Sequence, residues 1–137
     1  MLDTNVISEL ARRKPEPKIA AWVEATDEML LHLSVLTLGE IRKGIVSLRD
    51  SSRRVALEAW LDGDLVVRFA GRILTVDEAV ADRWGQLSAH GESRNSPLPV
   101  IDGLLAATAL QYNLTLVTRN VRDVVSSGVP LFNPWSA

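Results

Sequence analysis

The chain has 137 residues, of which 47% are hydrophobic and 23% charged, as in an ordinary globular domain. It contains no cysteine, which excludes disulfides, thiolate zinc sites and cysteine nucleophiles. The formal net charge of −2 lacks the basic balance that proteins binding nucleic-acid phosphates usually show. No apolar run reaches the roughly 18 residues of a membrane span, and the N-terminus shows no signal-peptide pattern. We therefore expect a single cytoplasmic domain over residues 1–137.

Apolar stretches with strand and helix periodicity alternate along the chain. Residues 1–3 look like the end of a strand, although only Met1 and Leu2 are available to form it. Helices are predicted from residue 4 or 5 to 13 and over residues 17–25, 38–48, 53–62, 78–90 and 100–112, and extended segments over 29–35, 65–69, 72–76, 114–117 and 129–132. Short apolar strands separated by helices favour an α/β fold with a mainly parallel central sheet.

Two helix ends carry capping signals. Thr37 and Glu40 stand three residues apart at the start of the helix predicted over 38–48, which is the spacing of a capping box. Asn113 follows the alanine-rich helix predicted over 100–112, and asparagine tolerates the left-handed backbone that often ends a helix. The pattern thus predicts where each of these two helices begins or ends.

Polar residues that directly follow two predicted strands are the main functional signal. Residues 3–5 (Asp-Thr-Asn) follow the first strand, and residues 118–120 (Thr-Arg-Asn) follow the strand at 114–117, with Asp123 close behind. Ligands of such sheets bind beyond the carboxyl ends of the strands. Asp102 lies in the first turn of a helix whose alanines allow close packing on the sheet. We therefore expect the acids of these segments to meet in one crevice.

Carboxylates gathered in one crevice repel one another unless a cation neutralises them. Hard oxygen ligands suit Mg²⁺ or Mn²⁺. Such an ion can lower the pKa of a bound water and orient a phosphate, so metal-assisted hydrolysis of a phosphodiester is the chemistry that this pattern favours.

Each of these residues also has a purely structural explanation. Glu40 can complete the capping box, Asp102 is a favourable charge at a helix N-terminus, Asp123 can cap a turn, and Asn120 can form an Asx turn. Asp3 has the weakest such explanation, because it follows a strand and precedes any settled helix. The residues alone leave both a four-acid site and a set of ordinary caps open.

Several segments, in this order, resemble the motifs of the PIN-domain family, and in particular its VapC and FitB-like toxins. The resemblance covers essentially the whole chain. It is carried by residues 2–9 (LDTNVISE), 34–44 (SVLTLGEIRKG), 102–109 (DGLLAATA) and 116–123 (LVTRNVRD), and, as FitB-like features, by 69–74 (FAGRIL) and 132–135 (FNPW). Each motif is loose by itself, but four in this order and spacing are specific.

The resemblance implies a three-layer α/β/α PIN-like domain and an endoribonuclease that depends on Mg²⁺ or Mn²⁺, acting as the toxin of a type II toxin–antitoxin pair. It also implies inhibition by a small VapB- or FitA-like antitoxin. It further implies a homodimer that reaches operator DNA only through the antitoxin, with no membrane partner.

The resemblance also assigns roles to residues. Asp3, Glu40 and Asp102 are the implied core ligands of the metal. Relatives carry an acid at the place of Asn120 or of Asp123, so here Asp123 would supply the fourth charge beside a neutral Asn120. The polar residues that would support the ligands are Thr4, Asn5 and Thr118. Apart from the resemblance, we predict Arg42, Lys43 and Arg119 as candidate RNA phosphate contacts.

Two other functions remain open at this point. The neutral Asn120 and the short first strand motivate a binding module with a degenerate acidic pocket, which would act with its antitoxin as a co-repressor on DNA. Phosphoryl transfer through Asp3 is disfavoured, because haloacid-dehalogenase-like enzymes need a second aspartate where this chain has Asn5. His32 and His90 are expected to be bystanders.

Overall fold

Short strands alternate with helices along the whole chain, in a computed structural model that describes residues 1–137. The helices are α1 (Thr4–Leu10), α2 (Pro17–Ala25), α3 (Val35–Val46), α4 (Ser51–Ala59), α5 (Val66–Arg68), α6 (Glu78–Ser93), α7 (Val100–Gln111) and α8 (Val121–Val124). The strands are β1 (Leu33–Ser34), β2 (Ile73–Leu74), β3 (Leu116–Val117) and β4 (Leu131–Phe132). Turns of 3₁₀ helix cover Glu28–Leu30 and Val125–Ser127, and a π-helical stretch, Trp60–Leu65, joins α4 to α5.

The N-terminal residues hold the two halves of the sheet together. Strands β1 and β2 pair in parallel, as do β3 and β4. Between these pairs, Leu2 forms a parallel bridge with Val117, and its N–H donates to the carbonyl of His32 over 2.9 Å. The N–H of Asp3 donates to the carbonyl of Val117, also over 2.9 Å. The prediction that residues 1–3 end a strand is confirmed, because this short segment is hydrogen-bonded on both sides.

Successive strand residues point into two separate apolar cores, as the twofold periodicity of a strand requires. Leu2, Leu33 and Val117 face one core, whereas Met1 and Leu116 face the other. The first core is closed by side chains of α1 to α3 and of the α4–α5 segment, including Ile7, Ile19, Ile41, Ile45, Leu61 and Phe69. The second is closed mainly by α6, α7 and α8, including Leu87, Leu105, Ala106, Ala109 and Val124. The predicted three-layer α/β/α architecture is therefore confirmed.

Helix α7 packs closely against α6, and this contact places the first turn of α7. A Cβ atom on Gly103 would lie 3.1 Å from the indole ring of Trp84, closer than side chains normally approach. Glycine therefore allows the two helices to meet beside Asp102, the neighbour of Gly103. No helix of the structure combines the length and the apolar composition that crossing a bilayer demands.

Two segments predicted to be extended are mainly helical or turn. Within residues 29–35 only β1 is strand, because Glu28–Leu30 form a 3₁₀ turn whose Met29 N–H is bound by the Asp27 carboxylate. Residues 65–68 are helical, and Phe69 lies in the turn that follows. The reason is the spacing of Leu61, Leu65 and Phe69, which are all buried and follow one another at intervals of four residues.

The predicted capping box is wrong, whereas the predicted cap at Asn113 is confirmed. Helix α3 begins at Val35, and the Ser34 hydroxyl accepts a hydrogen bond from the N–H of Leu36 over 3.0 Å. Thr37 therefore lies inside the helix, fully buried, and its hydroxyl finds no hydrogen-bond partner in the chain. Asn113 adopts the left-handed backbone, with φ at 55°, just after α7.

We expect Thr37→Val to raise the free energy of unfolding by about 1 kcal/mol, because it removes a buried hydroxyl that has no partner at nearly constant volume. Thr108 provides the matched control. It is equally buried and helical, but its hydroxyl donates to the carbonyl of Leu104 over 2.7 Å. Thr108→Val should therefore lower the same free energy by about 0.5–1 kcal/mol. Urea denaturation measures both changes, and a loss of stability in Thr37→Val would contradict the prediction.

Candidate metal centre

The carboxylate of Asp3 is held rigidly at the carboxyl end of the N-terminal strand segment. Its Oδ1 accepts a hydrogen bond from the N–H of Thr4 over 2.7 Å, which also caps α1. Its Oδ2 accepts from the hydroxyl of Thr118 over 2.7 Å and from the side-chain amide of Asn5 over 3.3 Å. Asp3 is only 6% exposed, so these donors, rather than bulk water, fix the direction of its carboxylate.

Residues 3–5 and 118–120 are joined by a hydrogen-bond network. The hydroxyl oxygen of Thr118 accepts from the Asn5 amide over 3.2 Å and from the N–H of Asn120 over 3.0 Å. The side-chain carbonyl of Asn5 accepts from the N–H of Arg119 over 3.3 Å. The two polar segments after the strands thus meet, as their positions after neighbouring strands led us to expect.

Glu40 reaches the same place from α3. Its Oε1 accepts a hydrogen bond from the hydroxyl of Thr4. Thr4 therefore contacts two acids, Asp3 through its backbone N–H and Glu40 through its side chain. The capping role that the sequence left open for Glu40 is not observed, because Ser34 caps the helix instead.

Asp102, in the first turn of α7, lies close enough to the other acids for their charges to act on it. Partial burial, followed by the negative charges of Asp3, Asp123 and Glu40, raises the pKa of Asp102 to about 6. The structure thus brings the other three predicted acids within electrostatic range of Asp102. Neither Asp102 nor Asp123 accepts a hydrogen bond through its carboxylate, so these two side chains are less restrained than Asp3 and Glu40.

The four acids concentrate negative charge, but they do not form a complete coordination shell for one metal ion. No group of three or more histidine, aspartate and glutamate side chains stands at the spacing that one ion requires. Asn120 precedes α8, and its exposed side chain makes no capping hydrogen bond. The charge of Asp123, and not the neutral Asn120, acts on Asp102. The donors are all hard oxygens, which fits Mg²⁺ or Mn²⁺ and not a softer metal.

The three predicted phosphate contacts differ in their surroundings. Arg42 is paired with Asp62 across the surface. Lys43 is exposed and forms no ion pair. The guanidinium of Arg119 lies 5.2 Å from the ring centroid of Trp135. Sequence reasoning predicted neither contact, because the partners lie in different segments of the chain, although Trp135 belongs to the motif at 132–135.

The histidines remain outside this arrangement. The ring of His32 hydrogen-bonds through Nδ1 to the carbonyl of Leu30 over 3.0 Å. His90 belongs to the last turns of α6 and hydrogen-bonds through its carbonyl to Ser93. Neither contacts an acid of the cluster, in keeping with the expectation that both are bystanders.

The chain is similar to known proteins along its whole length. A family model described as PIN domain matches residues 1–122. Toxin FitB of Neisseria gonorrhoeae is 36% identical over 98% of this chain and 97% of its own. VapC ribonuclease Y4jK of Sinorhizobium fredii is 32% identical over 98% of this chain and 96% of its own.

Solved structures also superpose on the chain along nearly its whole length. FitAcB from Neisseria gonorrhoeae superposes with a TM-score of 0.95 at 35% identity, covering 99% of this chain and 98% of that one. FitAB bound to an IR36 DNA fragment superposes with a TM-score of 0.92 at 34% identity, covering 98% and 94%. The chain therefore belongs to the PIN-domain family, within the group that contains FitB and the VapC ribonucleases.

Proposed function

We propose that the protein is the toxin of a type II toxin–antitoxin pair and acts as a metal-dependent endoribonuclease. The observation that carries the proposal is the convergence of Asp3, Glu40 and Asp123 on Asp102, whose pKa is raised to about 6 by partial burial and then by the charges of these three acids. A cluster of carboxylates that resists full ionisation is suited to a divalent cation. The full-length similarity to a protein named VapC ribonuclease supports RNA as the substrate.

In this proposal Asp3 and Asp102 hold the ion directly, and Glu40 either joins them or orients the attacking water. Asp123 and Asn120 complete the polar surroundings of the ion. The bound ion would lower the pKa of a water molecule and neutralise charge on the phosphate. The protein contributes by keeping Asp3 aligned through Thr118 and Glu40 aligned through Thr4, while Asp102 and Asp123 remain free to turn toward the ion.

The test is cleavage of RNA in the presence of Mg²⁺ or Mn²⁺, with EDTA as the reference condition. We expect the parent to cleave only with the metal, and Asp3→Ala and Asp102→Ala to lose at least about a thousandfold in rate, since the ion supplies several kcal/mol of stabilisation to the transition state. Circular dichroism of both variants checks that they remain folded. Cleavage by both variants at the parent rate would show that the mechanism is wrong.

A catalytically silent binding module is the alternative, and two observations favour it: no three acids stand at ligand spacing, and Asn120 is neutral. Calorimetric titration with Mn²⁺ separates the two functions. The nuclease should bind Mn²⁺ in a manner that depends on Asp3, whereas a degenerate pocket should show no such binding.

We also propose that an antitoxin of the VapB or FitA kind covers the acidic site. A groove of about 230 Å³ between α1, α3 and α4 begins at Glu40 and has an apolar floor that includes Ile41, Ile45 and Trp60. An amphipathic helix or a strand would fit such a groove. The DNA-bound FitAB structure supports contact with operator DNA through the antitoxin. We further propose that the protein has a single domain, is cytoplasmic and forms a homodimer.

A further inference from the structure

An arginine stacked on a tryptophan stands at the edge of the acidic site. The guanidinium carbon of Arg119 lies 5.2 Å from the ring centroid of Trp135. The ring of Trp135 packs against the first apolar core, and the backbone N–H of Trp135 donates to the side-chain carbonyl of Asn133 over 2.9 Å. The indole is therefore a fixed platform, and stacking on it restricts an otherwise flexible arginine side chain.

This pair lies at the same edge of the sheet as Asp3. Thr118, the residue before Arg119, donates to Asp3 Oδ2 over 2.7 Å, and the N–H of Arg119 itself donates to Asn5. Trp135 comes three residues after β4, and the N–H of Thr118 donates to the carbonyl of Phe132 at the end of that strand. Both residues thus follow neighbouring parallel strands and leave the sheet beside the acids.

The charge of Arg119 is free to bind an anion. The ion pairs of the chain involve Arg12, Arg42, Arg68 and Arg72, and none involves Arg119, which is exposed. A second cation stands nearby, since the ammonium of Lys18 donates to the backbone carbonyl of Trp135 over 3.1 Å. The surface formed by Lys18, Arg119 and Trp135 thus carries two positive charges, although the whole chain carries a net charge of −2.

We propose that this surface binds single-stranded RNA next to the cleaved bond, with Arg119 contacting a phosphate and Trp135 acting as the positioning residue that aims it. The inference rests on the proposed ribonuclease function and names the part of the site that recognises substrate. Trp135 is half-buried, so part of its ring reaches the surface beside the two cations. Cations beside an accessible aromatic ring are the combination that proteins use for unpaired nucleotides, whose phosphates are charged and whose bases offer a stacking face.

Binding of a labelled, unstructured RNA oligonucleotide tests the inference. Ca²⁺ replaces Mn²⁺ so that the acids are neutralised by another hard cation. Arg119→Gln should weaken binding about tenfold and reduce the slope of log affinity against log salt by about 0.7, the value for one lost contact to a single strand. In cleavage assays the same change should raise KM about tenfold and leave kcat within about twofold. The reason is that Arg119 would contact the bound substrate and the transition state equally.

The tryptophan is tested separately. Trp135→Leu should weaken RNA binding severalfold, whereas Trp135→Phe, which keeps an aromatic face, should restore most of it. RNA should also change the emission of Trp135, which is obtained by subtracting the spectrum of Trp135→Phe from that of the parent with its four tryptophans. A purely structural tryptophan would give no RNA-dependent signal.

Arg83→Gln is the control for loss of one positive charge. Arg83 is exposed and contacts Gln111, the last residue of α7, whereas Asp102 lies in the first turn of that helix, about 13 Å away at 1.5 Å per residue. If Arg119→Gln binds RNA as well as Arg83→Gln does, the inference is wrong. The inference is also wrong if Trp135→Leu loses the binding of an antitoxin but binds RNA as well as the parent does. If the parent cleaves RNA and Arg119→Gln has no effect, only the inference is wrong. If the parent neither binds Mn²⁺ nor cleaves RNA, the proposed function is wrong.

Discussion

Asp102→Asn should abolish metal-dependent RNA cleavage and at the same time stabilise the metal-free protein. The first effect follows from its proposed role as a ligand, and we expect a rate loss of at least about a thousandfold. The gain in stability follows from the removal of electrostatic repulsion between carboxylates. At neutral pH the ionised Asp102 is partly buried beside Asp3, Asp123 and Glu40, which raises its pKa to about 6. Asparagine removes the charge while keeping the shape of the side chain.

The pH dependence has a definite sign. The pKa of Asp102 is higher in the folded protein than in the unfolded chain, so the folded state binds more protons between about pH 4 and about pH 6. This aspartate therefore destabilises the protein progressively as the pH rises through that window. Because the side chain is partly exposed, solvent screening reduces the effect to about 1 kcal/mol.

Chemical denaturation of the metal-free proteins at pH 4.5 and pH 7 measures this effect. The difference in unfolding free energy between Asp102→Asn and the parent should be about 1 kcal/mol larger at pH 7. Asp82→Asn is the control, because Asp82 is an exposed aspartate of α6 that hydrogen-bonds only Gln86. An Asp102→Asn variant that is less stable than the parent at pH 7 would contradict the proposed crowding of charge.

Arg72→Ala should give the largest loss of stability outside the core, about 3 kcal/mol. Arg72 is only 7% exposed, and its guanidinium donates to the carbonyls of Leu31 and Arg68 over 2.8 and 2.6 Å. It also donates to the carboxylate of Glu28 over 2.7 Å and covers the ring of Phe69 at 4.8 Å. Alanine would leave these acceptors without their donor and open a void beside a fully buried aromatic ring.

Arg68→Ala is the matched control. Arg68 donates to both carboxylate oxygens of the same Glu28, but its side chain is 41% exposed, so its loss should cost no more than about 1 kcal/mol. Hydrogen bonds from Arg68 and then from Arg72, together with both positive charges, lower the pKa of Glu28 to about 2, so the group stays ionised down to strongly acidic pH. Equal destabilisation by the two arginine variants in urea denaturation would show that burial does not decide the effect.

The order and type of most elements were predictable because apolar spacing is local. The helix predicted over 17–25 matches α2, and the helix predicted over 100–112 matches α7 to within one residue. Predictions failed where long-range packing overrode local signals. Thr37 looked like a cap, but it is fully buried inside α3, which begins at Val35 and is capped by Ser34.

The acids of the candidate site were predictable for a similar reason, since residues that follow parallel strands meet at one edge of a sheet. Their supporting contacts were not predictable. The bond from Thr118 to Asp3 spans 115 residues of chain, and the stacking of Arg119 on Trp135 joins segments that follow different strands. The ion pair of Arg42 with Asp62 was not predicted either, and the role of Arg42 as a phosphate contact stays a prediction. The assignment of each acid to the metal stays a prediction.

By itself the sequence determined the alternation of strands and helices, the family and the identity of the four acids, because periodicity and motif spacing are properties of the chain alone. Only the tertiary structure decided how Asp3 is supported. Two residues before it suffice as a strand, since Leu2 and Asp3 bond to the carbonyls of His32 and Val117 on either side. The physical reason is that a strand is stabilised by its neighbours in space, and these neighbours are distant in sequence.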